Sequence, residues 1–185
     1  EYCRVTRVIR DIPSQDIVFG NKTTNFRQIV ETYAKNKNIR FKEIRNREVK
    51  NTDLKVVNYK LKVKKYKTQV STEYFLSYID DKFNIAGFLR LSLPLDTKNN
   101  FIKELNNTAI IREIHIYGNA VDIGKKTNNK AQHMGFGKKL IEYTEKIALK
   151  NNFNKLSVIS SVGTREYYKK RGFTMGTLYQ HKKLK

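Results

Sequence analysis

Apolar residues recur along three consecutive stretches in the middle of the chain. These stretches are LKVKKYKTQV, EYFLSYID and NIAGFLRLSLP, and they are rich in aromatic and β-branched residues, as β-strands are. Asp80 and Asp81 supply a turn between the second and the third, and Pro94 ends the third. The pattern predicts a meander of three neighbouring strands.

A fourth strand is predicted in the stretch AIIREIHIYG. Strict alternation would place its side chains on two opposite faces. One face would carry Ile110, Arg112, Ile114 and Ile116. The other would carry Ile111, Glu113, His115 and Tyr117. One face of this strand is therefore conspicuously polar.

Helical periodicity follows in the last third of the chain. In KKLIEYTEKIALKNN the residues at helical spacing are Leu140, Ile141, Thr144, Ile147 and Ala148. A buried strand, KLSVISS, comes next. Thr164 is placed to cap a short helix, REYYKKR, which ends at Gly172, and a final strand pair runs through TMGTLYQHKKL.

Residues 1–50 differ from the rest in being arginine-rich and irregular. Asn25 and the stretch FRQIVETYAKN predict a capped amphipathic helix with Ile29, Val30 and Tyr33 on one face. The segment is too small to bury a core of its own. We therefore expect it to be the tail of a larger domain and residues 51–185 to be a complete one.

The net charge of the chain indicates the class of its partner. The chain has 38 Lys and Arg against 17 Asp and Glu, a formal net charge of +21, which favours a polyanionic partner. Nucleic acid fits better than a membrane, because no basic amphipathic helix with a continuous apolar face stands out. The alternative is a surface enriched in lysine without a partner.

Cysteine content and hydropathy bear on the compartment. A single cysteine, Cys3, excludes a disulfide framework or a cysteine-ligated metal cluster built from this chain alone, and no metal site is predicted. No stretch of about 18 apolar residues could span a bilayer. These features favour a reducing, intracellular compartment, and we expect the cytoplasm.

The segment QHMGFG lies between an extended stretch and an amphipathic helix, where a phosphate cradle is typically found. Glycines allow backbone N–H groups to approach phosphate, and the start of the helix adds partial positive charge. The predicted binding residues are Gln132, Met134, Gly135, Phe136 and Gly137. A tight strand-to-helix turn without a ligand is the alternative.

The order strand, Q-x-x-G-x-G, helix, strand, and then a helix with Y-x-x-x-G-F resembles the GNAT acetyltransferases. This resemblance implies an α/β (α+β) fold with a mixed, mostly antiparallel central sheet that opens to admit acetyl-CoA. It also implies that Gln132 to Gly137 hold the pyrophosphate and that a tyrosine lies near the thioester sulfur. The spacing of that motif matches Tyr168.

A closer resemblance covers nearly the whole chain. The segments CRVTRVIRDIP, IRNREV, REIHIYG, QHMGFG and VGTREYYKKRGF resemble the catalytic subunits of Elongator, a family of radical-SAM tRNA acetyltransferases. The resemblance implies carboxymethylation of the tRNA wobble uridine with acetyl-CoA, with tRNA and other Elongator subunits as partners. It also implies that residues 1–50 end the radical-SAM and linker region, and that residues 51–185 are the GNAT domain.

The family's iron–sulfur cluster is held by a three-cysteine motif that does not occur in this sequence. The radical step therefore requires a part that is not in this chain. We expect S-adenosylmethionine and the cluster only in an upstream domain.

Four residues are candidates for catalysis. The resemblance places Glu113, Ile114, His115 and Ile116 against the pantetheine arm. Glu113 or His115 could act as a general base, or the two could form a satisfied hydrogen-bonding pair. Tyr167 and Tyr168 lie about 100° apart on a helix, so only one can point into the cleft. The Elongator resemblance favours Tyr167 as a cofactor contact, and GNAT spacing favours Tyr168 as the acid.

Two other functions stay open. A protein lysine acetyltransferase would act directly on an amine, although the basic charge would repel cationic substrates such as histone tails. An RNA-binding module with a vestigial coenzyme A site is the other, and there the candidate base and the candidate tyrosine acid would have no catalytic role.

Overall fold

The computed structural model of the protein describes residues 2–5, 13–49, 58–117 and 135–185. The chain divides into two compact units, Glu1–Glu48 and Val49–Lys185. The assignment of residues 1–50 to the end of a radical-SAM domain and its linker stays a prediction.

The described part of the first unit contains one α-helix, α1 (Phe26–Asn36), where the sequence predicts it. One detail of the prediction, the side-chain cap, is wrong. Asn25 is the residue before the helix, but its side chain makes no capping hydrogen bond; its backbone oxygen accepts instead from the first turn. Ile29 and Tyr33 are exposed, and the buried residue of the helix is Ala34.

A carboxylate ties the first unit together. Glu43 Oε1 accepts a hydrogen bond from Arg27 Nη2 at 3.0 Å, and its other oxygen accepts from the backbone N–H of Val5 at 3.1 Å. Arg27 Nη1 in turn donates to the Val5 carbonyl at 2.9 Å. This network fixes the start of α1 against two separate loop segments.

The second unit is built on one seven-stranded sheet. Its strands, β1 to β7, are Lys60–Lys67, Ser71–Ile79, Ile85–Pro94, Ala109–Ile116, Lys155–Val158, Thr174–Met175 and Gln180–Lys183. The order across the sheet is β1-β2-β3-β4-β5-β7-β6, and only β4 and β5 are parallel. The predicted meander and the predicted mixed, mostly antiparallel sheet are confirmed.

Among the residues of this unit that the structure describes, two α-helices pack with the sheet, α2 (Phe136–Lys150) and α3 (Arg165–Lys169). The face of α2 predicted to be apolar does pack on the sheet, and Leu140, Ile141 and Ala148 are almost fully buried there. Burial of each of the two larger side chains, Leu140 and Ile141, contributes about 1.5–3 kcal/mol. This packing fixes the start of α2 beside the end of β4.

The short helix α3 begins after Thr164, as predicted, but the threonine side chain does not cap it. Its hydroxyl donates to the Ser161 carbonyl at 3.1 Å instead. Gly172 adopts φ 84°, a left-handed conformation that glycine tolerates, and the chain turns there toward β6.

Candidate functional site

β4 and β5 pair with each other over only part of their length. The parallel ladder joins residues 109–111 to residues 156–158 and stops there, because β5 ends at Val158. β4 continues to Ile116, and within the described residues its second half pairs only with β3. Backbone N–H and C=O groups on the β5 side of this half are therefore open to an extended ligand with amide groups.

A cleft of about 810 Å³ opens where the two strands separate. From β4 it is lined by Arg112, Glu113, Ile114, His115 and Ile116. On the opposite side it is lined by Gly135, Gly137, Tyr167, Tyr168 and Arg171, among others. Its volume suits a small-molecule ligand, for which about 300–1,000 Å³ is typical. The cleft thus brings together every predicted site residue that the structure describes except Phe136.

A β-bulge interrupts β4 beside the cleft. Arg90 and Leu91 are consecutive on β3, whereas their partners on β4 are Glu113 and Ile111. Arg112 is therefore an extra, exposed residue without a partner in the ladder. Bulges of this kind commonly re-aim side chains next to functional sites.

The bulge makes the predicted strict alternation along β4 wrong. Ile111 belongs to the hydrophobic core, and Ile114 and Ile116 pack against that same core. Glu113 and His115 lie on the opposite face of the sheet. The extra residue shifts the pleat by one position, so the apolar face continues on Ile114 rather than on Glu113.

Glu113 is paired on both sides. Its Oε1 lies 2.9 Å from Arg90 Nη2, and its Oε2 lies 3.4 Å from His115 Nε2. The hydrogen bond from His115 lowers the pKa of Glu113; partial burial acts in the opposite direction, and the charge of Arg90 reinforces the lowering. A carboxylate with a lowered pKa is a weak base, so the geometry favours the satisfied pair over the general base.

Tyr167 stands across the cleft from β4 and reaches the start of α2. A Cβ atom added to Gly137 would overlap the Tyr167 hydroxyl oxygen, so this position must be glycine while the tyrosine keeps its place. Arg171 lies one helical turn later. Its guanidinium carbon is 3.3 Å from the centroid of the Tyr167 ring, and its Nη1 donates to the Tyr167 carbonyl at 2.5 Å.

The two tyrosines have different environments. Burial raises the pKa of Tyr167, and Arg171 acts in the opposite direction. Tyr168 is only 5% exposed and packs edge-on against Phe173, with 5.6 Å between ring centroids. Burial, reinforced by the neighbouring tyrosine, raises the pKa of Tyr168 to about 12. Tyr168 is thus mainly a core residue that touches the cleft, whereas Tyr167 faces it.

The start of α2 provides the other binding element. Gly135 adopts φ 68°, and nothing lies within 4 Å of where its Cβ would be. The Lys139 N–H donates to the Gly135 carbonyl at 3.0 Å, so the N–H groups of residues 136–138 precede the first intrahelical bond. The Phe136 side chain stacks on Tyr78 in the core at 4.4 Å between ring centroids, which leaves only its backbone for a ligand.

Gln132 and Met134 lie outside the described residues, so their predicted roles stay predictions. Arg171 and Arg90 are among the residues at or beside the cleft that are absent from the sequence prediction. Arg171 has a readable signal, since it follows Tyr167 by four positions in the predicted helix REYYKKR, where side chains meet. Arg90 has none, because its pairing with Glu113 depends on strand register and on the bulge.

Within the described parts of the chain, no group of three His, Cys, Asp or Glu side chains is arranged to hold a metal ion. None of the helices described there is long and apolar enough to cross a membrane.

Comparison with known proteins agrees with this geometry. The chain is 34% identical over 188 residues to Elongator complex protein 3 of Schizosaccharomyces pombe, covering 98% of this chain and 34% of that protein. It is 36% identical to the tRNA uridine(34) acetyltransferase of Methanocaldococcus jannaschii, covering all of this chain and 35% of that protein. The chain thus spans about a third of the length of these curated relatives. No family model matches it.

A solved structure of the archaeal Methanocaldococcus infernus Elp3, with an N-terminal deletion, superposes with a TM-score of 0.78 at 33% identity. The superposition covers 97% of this chain and 44% of that one.

The separated β4 and β5, the glycine turn that starts α2 and the tyrosine across the cleft define the second unit as a GNAT-type α/β domain, as the sequence predicts. The predicted resemblance to the Elongator family is also confirmed. The chain is homologous, over its whole length, to about a third of Elongator complex protein 3.

Proposed function

We propose that this chain binds acetyl-CoA and forms the acyltransferase part of an enzyme that carboxymethylates the wobble uridine of tRNA. The observation that carries the proposal is the open edge of β4, which leads to the glycine start of α2 and faces Tyr167. The names of the relatives, one of them a tRNA uridine(34) acetyltransferase, support the substrate class.

The residues of the cleft fit acetyl-CoA. An open strand edge suits the two amides of the pantetheine arm, because backbone groups can pair with them as a neighbouring strand would. The N–H groups at the start of α2 suit the anionic pyrophosphate. Gly135 leaves open space at this turn, so the backbone is accessible to a ligand. When bound, acetyl-CoA supplies an activated acyl thioester.

In this mechanism the protein orients the ligand and stabilises charge. Residues 112–116 of β4 would hold the extended arm, and the first turn of α2 would hold the phosphates. The Tyr167 hydroxyl would donate a hydrogen bond toward the thioester sulfur and so stabilise negative charge there during acyl transfer. Glu113 stays ionised and holds His115 and Arg90 in place on the neighbouring face of the sheet.

Hydrogen bonding by Tyr167 is energetically favoured over proton transfer. A thiol has an ordinary pKa of about 8.5, and a tyrosine one of about 10. Burial raises the pKa of Tyr167 further, so giving its proton to a thiolate would be uphill. The same shift keeps the hydroxyl protonated near neutral pH, and it remains a hydrogen-bond donor throughout.

The acceptor, the upstream chemistry and the partners are part of the proposal. β1 carries five exposed lysines and the chain has a net charge of +21, which suits tRNA. Residues 1–50 would end a radical-SAM domain whose cluster and S-adenosylmethionine lie upstream, and other Elongator subunits would be partners. Direct acetylation of protein lysines has less support, because the paired Glu113 is a poor base for an amine.

The test compares two variants that differ only in charge. Gly135→Glu and Gly135→Gln introduce side chains of equal size and equal backbone strain at the turn. We expect calorimetry to give an acetyl-CoA affinity at least about tenfold lower for Gly135→Glu than for Gly135→Gln, because the carboxylate repels phosphate. Equal affinities would place the pyrophosphate elsewhere.

A further inference from the structure

A second, smaller cavity of about 340 Å³ lies beside the cleft, between α2, the end of α3 and β7. It shares Lys138 and Arg171 with the cleft and includes no residue of β4. The two cavities therefore meet at the start of α2. From there the smaller one extends along α2 to Glu145, about 10 Å at 1.5 Å per residue.

The smaller cavity has an excess of positive charge. Its charged lining residues are Lys138, Lys170, Arg171 and Lys182 with Glu142 and Glu145. Four basic side chains against two acidic ones leave two positive charges in excess within the described lining. Lys182 is neutralised by Glu145 at 2.6 Å, whereas Lys138 lies a loose 3.8 Å from Glu142. The excess charge is therefore on the side that faces the cleft.

Arg171 is fixed in place but incompletely hydrogen-bonded. Its Nη1 donates to the Tyr167 carbonyl, and its guanidinium stacks on the Tyr167 ring. Its buried Nε has no hydrogen-bond partner within the described residues. An arginine held this way loses little conformational freedom on meeting an anion, and its planar fork matches a phosphate.

We propose that Arg171 and Lys138 bind the 3′-phosphate of coenzyme A, with the adenosine portion in the smaller cavity. This inference rests on the proposed function. That function assigns the pantetheine arm to β4 and the pyrophosphate to the start of α2. In coenzyme A, the adenosine 3′-phosphate lies beyond the pyrophosphate as counted from the pantetheine arm. In the same order, the smaller cavity lies beyond the start of α2 as counted from β4.

The experiment uses calorimetry with two ligands, coenzyme A and dephospho-coenzyme A, which lacks only the 3′-phosphate. We expect the wild-type chain to prefer coenzyme A by about tenfold, the effect of one charge-assisted contact at a partly exposed site. Arg171→Met should abolish most of this preference, so that its affinities for the two ligands become nearly equal. Lys138→Met should reduce the preference in the same way.

Lys169→Met is the matched control, because Lys169 is an exposed cation at the end of α3, two residues before Arg171, and lines neither cavity. It should keep the full preference. The proposal is overturned if the wild-type chain binds both ligands equally, or if the preference survives in both variants. It is also overturned if Arg171→Met weakens both ligands equally, since Arg171 would then act on the pyrophosphate or only through Tyr167.

The Lys138→Met variant keeps the test decisive should Arg171→Met fail to fold, because Lys138 is exposed on the helix surface. Binding of neither ligand to the wild-type chain would instead refute the proposed function, and the subsite with it.

Discussion

Tyr167 and Tyr168 are consecutive residues of one short helix, and the fold uses them in opposite ways. Their rings are nearly perpendicular, with 5.3 Å between centroids. Tyr168 turns into the core beside Phe173, whereas Tyr167 turns across the cleft toward Gly137 under the guanidinium of Arg171. A helical step of about 100° is enough to turn one ring into the core and the next one across the cleft. A motif spacing alone therefore does not show which tyrosine faces the cleft.

The largest effect is expected from Tyr168→Ala. Removing a ring that is only 5% exposed should lower the free energy of unfolding by about 3–5 kcal/mol, the cost typical of large aromatic truncations in a core. Chemical denaturation of the purified chain measures this loss. Tyr143→Ala is the control, because that tyrosine is 43% exposed on α2 and should cost less than about 1 kcal/mol. Equal losses of unfolding free energy in the two variants would contradict the role of Tyr168 as a core residue.

The next effect concerns turnover. Tyr167→Phe removes only the hydroxyl and should slow acetyl-CoA turnover by about 10²–10³, the usual cost of one oxyanion-type donor, with stability little changed. Tyr168→Phe should be nearly silent. The assay must contain tRNA, which is the proposed acceptor, together with the upstream domain that is proposed to carry out the radical step. The assignment would be reversed if Tyr168→Phe were the slower variant.

Sequence patterns predicted the elements around these tyrosines well. The strands, α2 and α3 follow from apolar periodicity and from Pro94 and Gly172, because local sterics and burial set them. The phase of β4 could not be predicted, since the bulge at Arg112 depends on its pairing with β3. The predicted caps at Thr164 and Asn25 are also wrong. The Thr164 hydroxyl donates to the Ser161 carbonyl, and at Asn25 the backbone oxygen rather than the side chain bonds to the first turn of the helix.

The candidate site was predictable only in part. Glycines and tyrosines are recognisable by type and spacing, so Gly137 and Tyr167 could be selected. Their mutual contact does not follow from the sequence, which explains glycine at position 137 by phosphate rather than by the tyrosine hydroxyl. The sequence also leaves the role of Glu113 open, because the lowering of its pKa depends on contacts with His115 on the same strand and with Arg90 on β3.

Alkaline pH should also separate the two tyrosines. The pKa of Tyr168 rises to about 12 in the folded chain, against about 10 when unfolded. Its contribution to stability is therefore complete below about pH 10 and is lost as pH rises toward 12, by about 2–3 kcal/mol. Tyr168→Phe should flatten this part of the stability profile. Tyr167→Phe should flatten it less, because Arg171 opposes the rise in the pKa of Tyr167. Identical profiles for the two variants would contradict the assigned environments.

The smallest effect tests the contact between Tyr167 and Gly137. In the native background, Gly137→Ala forces a methyl group against the Tyr167 hydroxyl and should cost about 1–3 kcal/mol of unfolding free energy, as overpacking does. Without that hydroxyl, the nearest atoms are the ring carbon bearing it at 3.5 Å and an Ile116 carbon at 3.6 Å, both ordinary contacts. In a Tyr167→Phe background the same alanine should therefore be neutral, or stabilising by up to about 1 kcal/mol, because alanine favours a helix over glycine. Denaturation of the four proteins of this cycle gives the coupling directly. Additive effects would mean that the tyrosine hydroxyl does not lie over Gly137, and that the glycine is required for another reason.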